Sequence, residues 1–166
     1  MTTPLLKIEG LKKYFPIKGG VLNRTVAEVQ AVDFVDFEVA RGETLGIVGE
    51  SGCGKSTTAR LLMRLIEPDE GAVVFDGMEV GRRDGIAVRD MRKRMQMVFQ
   101  DSYSSLIPRL PIESSIAFGP TVHGLPQAKA RQRARDLLAR VGLDPNLFIR
   151  RYPHELSGGQ RQRVNI

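Results

Sequence analysis

The chain has 166 residues, of which 42% are hydrophobic and 27% are charged, and it carries a formal net charge of +6. This length and composition suit one globular domain with its own core, and they exclude a wholly disordered chain. The sequence has no apolar stretch of the roughly 18 residues that a membrane span needs, and its first residues lack a secretory signal, so we expect a cytoplasmic protein that meets a membrane only through a partner.

Charge distribution and cysteine content exclude two further kinds of site. The basic residues concentrate in segments 82–94 and 129–151, but only 6% of residues are aromatic and none alternate with these segments. A stacking platform for nucleic acid is therefore missing, and we expect no nucleic-acid partner. The single cysteine, Cys53, excludes an internal disulfide and a cysteine-based zinc site.

The first 48 residues have the pattern of strands. Residues 5–11 alternate loosely and predict a strand, and residues 16–25 predict a loop. Residues 29–39 are rich in β-branched and aromatic side chains and predict a second strand, closed by a turn at 41–43. The short run 44–48 is apolar without a polar face, which predicts a strand buried on both sides.

A helix and a hairpin follow. Residues 55–66 predict a helix with one apolar face, made of Ala59, Leu62, Leu65 and Ile66. Residues 72–75 and 78–80 flank Asp76 and Gly77, a pair that supplies the positive φ angles of a tight turn, so the segment predicts a β-hairpin.

The remaining pattern alternates strand and helix. Residues 95–99 predict a strand, and residues 127–141 predict a helix with Gly142 at its C-terminal cap. Residues 160–166 have the pattern of the opening of another helix. Strands and helices in this order predict an α/β domain.

A glycine-rich loop joins the apolar run to the first helix and matches the pattern G-x-x-x-x-G-K-S/T in full. Glycines let successive N–H groups face inward to hold the α- and β-phosphates of a nucleotide, and the following helix turns its positive end to the same anion. Lys55 would reach the β- and γ-phosphates, Ser56 would offer a hydroxyl ligand to Mg²⁺, and Thr57 would contact the α-phosphate. A chance glycine turn is the alternative, and the flanking strand and helix patterns disfavour it. The predicted nucleotide-binding residues are Gly49, Glu50, Ser51, Gly52, Cys53, Gly54, Lys55, Ser56 and Thr57.

The run 156–163, LSGGQRQR, predicts a second helix N-terminus that can bind a phosphate group. Ser157 and Gln160 form an S-x-x-Q capping box, and the two glycines between them leave the N–H groups of the first turn open to an anion. The run has no lysine, which indicates a partner site and not a complete nucleotide pocket. An ordinary helix cap is the alternative reading of S-x-x-Q alone.

Together the two motifs resemble those of the ABC ATPase family. The resemblance implies an α/β P-loop NTPase fold with an N-terminal antiparallel β part, a parallel-sheet core and a helical signature subdomain. It also implies that two such domains face each other head to tail, so that each signature acts in trans on the nucleotide held by the other P-loop. The residues implied to act in trans are Ser157, Gly158, Gly159 and Gln160.

The same resemblance assigns two more residues. Gln100, after the strand predicted at 95–99, corresponds to the Q-loop glutamine that contacts Mg²⁺ and the attacking water, which gives it a catalytic role beside Lys55. Phe15 corresponds to the aromatic that stacks on adenine, with Tyr14 as the fallback. A core aromatic at a strand end is the alternative for Phe15.

Segments 49–57, 98–106 and 152–156 resemble the oligopeptide and dipeptide importer branch of this family, although Ser102 and Ile107 replace its usual proline and asparagine. The implied function is an ATP-binding subunit that couples ATP hydrolysis to peptide import. It would lie on the cytoplasmic face of the plasma membrane, docked on permease subunits and paired with a second ABC ATPase subunit, identical or sister. An extracytoplasmic solute-binding protein would be an indirect partner.

The resemblance also indicates which parts of the family's domain have no match in this chain. We expect one incomplete domain over 1–166, with the β-rich start and P-loop core at 1–100 and the Q-loop and signature region at 101–166. The family's strand ending in Asp-Glu (Walker B) and its switch histidine have no match here, so the general base is absent and the 166-residue chain alone is expected to be inactive, whereas the full-length protein would be an ATPase. The alternatives are an inactive nucleotide-binding remnant and a soluble ABC ATPase not tied to transport.

Overall fold

The computed structural model describes residues 3–19, 24–101 and 105–166. The chain divides into two compact units, Met1–Gln96 and Met97–Ile166. The first unit contains a four-stranded antiparallel sheet in the order β2-β1-β3-β4. Its strands are β1 (Leu6–Gly19), β2 (Arg24–Val39), β3 (Glu70–Phe75) and β4 (Met78–Glu79).

The β1–β2 hairpin is longer than the sequence predicts. Its ladder runs from the pair Leu6 and Val39 to the pair Gly19 and Arg24, so the loop predicted at 16–25 is wrong for its described residues, and 20–23 lie outside them. Pro16 is tolerated because β1 pairs with β3 only up to Lys12. Beyond that point β1 has a partner on one side only, and a proline that cannot donate a hydrogen bond fits there.

The hairpin predicted at 72–80 is confirmed. Strands β3 and β4 pair through Val74 with Glu79, and Asp76 and Gly77 between them both have positive φ, 55° and 78°. This is the backbone geometry that an Asp-Gly pair accepts at low cost.

One helix packs on this sheet and a second ends the unit. Helix α1 (Lys55–Leu62) is shorter than the predicted 55–66, and its buried residues are Thr58 and Leu61; Leu65 of the predicted apolar face is 49% exposed. Helix α2 (Val88–Arg94) was not predicted, and it contributes the fully buried Met91. The buried core of this unit consists of Ile8, Leu11, Val32, Leu61, Val73, Phe75, Val80, Ile86 and Met91.

The two strands predicted at 44–48 and 95–99 are wrong for the described structure. Neither segment is in a strand, and Val48 is 92% exposed. An apolar run without a polar face becomes a strand only when other strands pair with it, and none of the described strands does so. The parallel-sheet core implied by the resemblance is thus not formed within the described residues.

The second unit is helical. Its elements are α3 (Ile112–Val122), α4 (Gln127–Arg140), α5 (Pro145–Phe148), a 3-10 turn (Pro153–Glu155) and α6 (Gly158–Asn165). Helix α4 confirms the predicted helix at 127–141, and Gly142 follows it with a φ of 73° as a C-terminal cap requires. The buried core of this unit consists of Leu106, Ile112, Ala117, Ala130, Ala134, Leu138, Leu143, Ile149 and Leu156.

Candidate functional site

The glycine-rich loop ends where helix α1 begins. Gly54 is the N-cap residue of α1 and has a left-handed φ of 94°. A Cβ atom at this position would overlap the carbonyl oxygen of Ala31 on β2. Both the backbone angle and the close approach therefore require glycine here. The sequence pattern names Gly54 but gives no sign of Ala31.

The ammonium group of Lys55 folds back onto its own loop. Its Nζ atom donates hydrogen bonds to the carbonyl oxygens of Gly49 at 2.7 Å and Glu50 at 2.5 Å. The same atom lies 3.4 Å from Sγ of Cys53. The loop thus holds a positive charge at its centre, where a phosphate oxygen is a stronger acceptor than a neutral carbonyl.

The first turn of α1 is fixed by a residue that the sequence analysis missed. Thr58 donates to the carbonyl oxygen of Gly54 from its backbone N at 2.8 Å and from its Oγ1 at 3.1 Å. The side chain of Thr58 is buried, whereas Ser56 is exposed and Thr57 is half-buried. A third consecutive hydroxyl residue, four positions after Gly54, is the signal that could have identified Thr58.

Of the two aromatic candidates on β1, Tyr14 is already engaged. Its hydroxyl donates to Oδ1 of Asp33 at 2.6 Å, and this hydrogen bond raises the pKa of Tyr14. Its backbone N donates to Oδ2 of Asp69 at 2.7 Å, and the ammonium group of Lys12 lies 4.7 Å from its ring centroid. These contacts leave Tyr14 poorly suited to stack on a base.

Phe15 is exposed, and its only ring contact among those of the described residues is with the ammonium group of Lys13, 5.7 Å from the ring centroid. It pairs with Val29, which is two residues from Ala31, the residue against which Gly54 packs. Two strand residues span about 7 Å. Within the first unit, an exposed ring and the end of the phosphate loop are therefore neighbours, which favours Phe15 over Tyr14; the adenine contact itself stays a prediction.

The predicted capping box at the start of α6 is present. The backbone N of Ser157 donates to Oε1 of Gln160 at 2.9 Å, and the backbone N of Gln160 donates to Oγ of Ser157 at 3.4 Å. Gly158 and Gly159 are exposed, and a Cβ atom on either would meet nothing within 4 Å. Leu156, just before the cap, is buried in the core of the unit and fixes where the helix starts.

Arg163 ties the signature helix to the end of α4 and was missed by sequence reasoning. Its Nη1 atom donates to the carbonyl oxygen of Gly142 at 3.3 Å and of Val141 at 3.5 Å. Carbonyl groups at a helix C-terminus carry partial negative charge, which a guanidinium group offsets. The orientation of α6 therefore depends on a side chain inside the LSGGQRQR run.

Gln100 lies in the second unit, whereas the phosphate loop lies in the first. It is exposed at a bend, and nearby Ser105 donates from Oγ to the carbonyl oxygen of Asp101 at 2.5 Å. Ser102, which departs from the importer pattern, lies outside the described residues. The role of Gln100 at the magnesium ion stays a prediction.

A family model described as ABC transporter matches residues 32–166. The chain belongs to the ABC transporter family. The match includes both the glycine-rich loop and the LSGGQRQR run, so the recognition made from these motifs is confirmed. None of the helices in the described ranges combines the length and apolar composition that crossing a bilayer demands.

Three relatives are similar to this ABC chain over nearly all of its length. It is 48% identical over 98% of its residues to the oligopeptide transport ATP-binding protein AppF of Bacillus subtilis. It is 50% identical to the probable peptide ABC transporter ATP-binding protein y4tS of Sinorhizobium fredii, over 100% of the chain, and 48% identical to the glutathione import ATP-binding protein GsiA of Pectobacterium atrosepticum, over 98%. The chain spans 50%, 47% and 26% of these proteins, respectively.

Solved structures confirm the fold class. The ATP-binding cassette MJ0796, in a dimeric post-hydrolysis state bound to ADP and Pi, has a TM-score of 0.74 and 27% identity over 96% of this chain and 66% of its own. The cbiO1 subunit of Clostridium perfringens, part of the transporter complex cbiONQ, has a TM-score of 0.69 and 27% identity over 98% of this chain and 59% of its own.

Proposed function

We propose that this chain is the ATP-binding part of an ABC importer subunit that couples ATP binding and hydrolysis to the uptake of peptides. The observation that carries the proposal is the loop in which Lys55 holds its charge among carbonyl oxygens, directly before a helix N-terminus. Similarity to oligopeptide, peptide and glutathione ATP-binding proteins supports both the importer role and a peptide-like solute.

ATP would bind with its phosphates in residues 49–57. The exposed loop offers backbone N–H groups, and Lys55 would exchange its bonds to Gly49 and Glu50 for bonds to phosphate oxygens. Thr58 would keep the first turn of α1 in place during this exchange, because its two bonds to Gly54 do not involve the ligand.

The residues present fit a magnesium ion that arrives with the nucleotide. Within the described ranges, no three His, Cys, Asp or Glu side chains cluster to hold a metal by themselves. The exposed hydroxyl of Ser56 on the first turn of α1 is a hard oxygen ligand, and Gln100 is the second candidate. Mg²⁺ bound there would neutralise phosphate charge, and the hydroxyl of Ser56 would hold the ion in position.

A second ABC subunit would complete the nucleotide site. The open N–H groups at Gly158 and Gly159 form an anion-binding helix terminus without a lysine, which suits the γ-phosphate of a nucleotide on a partner. The dimeric MJ0796 structure with ADP and Pi supports this arrangement. Permease subunits at the cytoplasmic face of the membrane, and a solute-binding protein beyond them, complete the proposed importer.

Mixing two defective forms of the complete subunit tests the proposal. Lys55→Ala disables the P-loop, and Ser157→Arg blocks the signature. A mixed dimer contains one site in which the intact P-loop of the Ser157→Arg chain meets the intact signature of the Lys55→Ala chain. We expect neither variant alone to release phosphate from ATP, and the mixture to recover part of the activity.

If the mixture releases phosphate from ATP no faster than the two variants measured separately, action in trans is contradicted. Loss of ATP binding in a Ser157→Arg monomer would contradict it as well, because the signature would then serve its own P-loop. Uptake of labelled peptides into cells, with the intact gene against its Lys55→Ala form, tests the solute class separately.

A further inference from the structure

The second unit contains a cleft whose lining residues belong to neither nucleotide motif. It has a volume of about 420 Å³, and Ile149, which is buried, lies among its lining residues. The other lining residues come from the start of α3, from α4 and from the segment after α5: Glu113, Ala128, Arg131, Gln132, Arg135 and Arg150. Three arginines and one carboxylate therefore line the same cleft.

The single carboxylate, Glu113, does not form a hydrogen bond with any of these arginines. Glu113 lies 3.8 Å from Nε of Arg131 and 3.8 Å from Nη2 of Arg135. Both distances exceed that of a hydrogen bond, so the attraction is electrostatic only. No carboxylate among the described residues forms an ion pair with Arg150. The cleft thus carries a net charge of about +2 at neutral pH, because arginine does not lose its proton.

The backbone of Glu113 is hydrogen-bonded to the segment after α5. Its backbone N donates to the carbonyl oxygen of Ile149 at 3.0 Å, and its neighbour Ile112 donates to the carbonyl oxygen of Arg151 at 2.8 Å. These bonds join the start of α3 to the segment that carries Arg150. Arg150 therefore stands on a segment that is bonded to α3, and Arg131 and Arg135 stand on helix α4.

We propose that this cleft binds a phosphate group, carried either by a free phosphate ester or by a lipid headgroup. Guanidinium groups present planar pairs of N–H donors that match phosphate oxygens, and three of them converge here with their donors unspent on Glu113. The amide of Gln132 is already engaged, because its Nε2 donates to Oδ1 of Asp136 at 3.0 Å, so the phosphate donors of the cleft are the three arginines.

Two probes separate the two sources. Inorganic phosphate is titrated calorimetrically into the full chain at constant ionic strength, in a Lys55→Ala background that weakens phosphate binding at the P-loop. In parallel, cosedimentation is measured with phosphatidylglycerol vesicles and with phosphatidylcholine vesicles. Arg131→Gln combined with Arg135→Gln removes two cleft charges, and Arg133→Gln combined with Arg140→Gln removes two charges from the same helix outside the cleft.

We expect the cleft variant to bind its probe at least about tenfold more weakly, and the control variant to change by less than about twofold. Glu113→Gln is expected to tighten binding, because the competing carboxylate charge is removed. Cleft-dependent binding of phosphate supports a free ester, and cleft-dependent binding of phosphatidylglycerol vesicles alone supports a headgroup. Equal losses in the two double variants, or no binding of either probe, would overturn the proposal. Thermal unfolding of every variant shows whether a loss reflects unfolding.

Discussion

Gly54 ends the phosphate loop directly against the carbonyl oxygen of Ala31 on β2. Gly52, two residues earlier, has nearly the same backbone angle, with a φ of 87° against 94°, but a Cβ atom there would meet nothing within 4 Å. The pair therefore separates two requirements for glycine: Gly52 needs only the left-handed conformation, and Gly54 needs that conformation and the space.

Alanine at these two positions is expected to differ in effect. Gly52→Ala should lower the free energy of unfolding by about 1–2 kcal/mol, the cost of a left-handed L-residue. Gly54→Ala adds an overlap with Ala31 that only a backbone shift can relieve, so it should destabilise the first unit further and weaken ATP binding. Thermal unfolding and ATP titration of both variants measure the difference. Equal behaviour would mean that the contact with Ala31 yields easily.

Removal of the Lys55 ammonium group should weaken ATP binding without a comparable loss of stability. Lys55→Ala removes a charge-assisted contact worth about 1.5–3 kcal/mol, which corresponds to an affinity about 10- to 160-fold lower. The bonds to Gly49 and Glu50 are lost as well, but these carbonyl groups lie on an exposed loop where water replaces the lysine. Lys18→Ala, at an exposed position of β1, is the matched control and should leave the ATP dissociation constant unchanged. An unaltered constant in Lys55→Ala would refute the assignment of the loop.

Asp76 in the β3–β4 turn joins two distant segments of the first unit. One carboxylate oxygen accepts a hydrogen bond from Nη2 of Arg94 at 2.5 Å, and the other accepts one from Arg41. The hydrogen bonds from Arg94 and then from Arg41 hold the pKa of Asp76 below its usual range. Arg94 ends α2, and Arg41 precedes the segment that leads to the phosphate loop.

The depressed pKa predicts a specific pH dependence. In the unfolded chain Asp76 takes up its proton at a higher pH than in the folded chain, so its contribution to stability is present at neutral pH and falls as the pH drops from about 5 through the folded pKa. Asp76→Asn should therefore unfold at a lower temperature than the wild type at pH 7, and the two curves should converge at the acid end. Asp84→Asn, whose side chain is 82% exposed, serves as the control. A constant gap between pH 7 and pH 3 would show that the two ion pairs contribute no pH-dependent stability.

The elements that the sequence predicted correctly are those with local causes. The Asp76–Gly77 turn, the cap at Gly142 and the capping box of Ser157 with Gln160 each depend on a few adjacent residues and on the angles or bonds these residues favour. Such features form wherever the surrounding chain permits them. Both nucleotide motifs were identified for the same reason.

The features that sequence analysis missed have two kinds of cause, a local interruption of a pattern and contacts with residues far along the chain. Helix α3 escaped prediction because Pro120 and Gly119 interrupt its pattern, although a proline in the last turn removes only one hydrogen bond. The contacts of Gly54 with Ala31 and of Arg163 with Gly142 join segments that are 23 and 21 residues apart. No local pattern encodes such approaches.

The last prediction concerns the apolar run at 44–48, which is not paired with any described strand. Ile47 and Val48 are 49% and 92% exposed, and no backbone hydrogen bond joins this run to any of the described strands. Phe118 and Val122 are similarly exposed, at 61% and 49%, but they belong to helix α3, whose backbone groups are bonded within the helix. An apolar segment whose backbone is not bonded to any strand recruits other chains by strand pairing, whereas a helix offers no such edge.

The 166-residue chain should therefore self-associate through this run. Ile47→Ser combined with Val48→Ser is expected to lower both the sedimentation coefficient of the associated species and the fluorescence of an apolar dye. Phe118→Ser combined with Val122→Ser removes a comparable exposed apolar surface and should change association much less, because the backbone groups of α3 are bonded within the helix. Equal effects of the two double variants would mean that exposed apolar surface alone drives association. A monomeric wild-type chain with no dye binding would mean that the run is covered in solution.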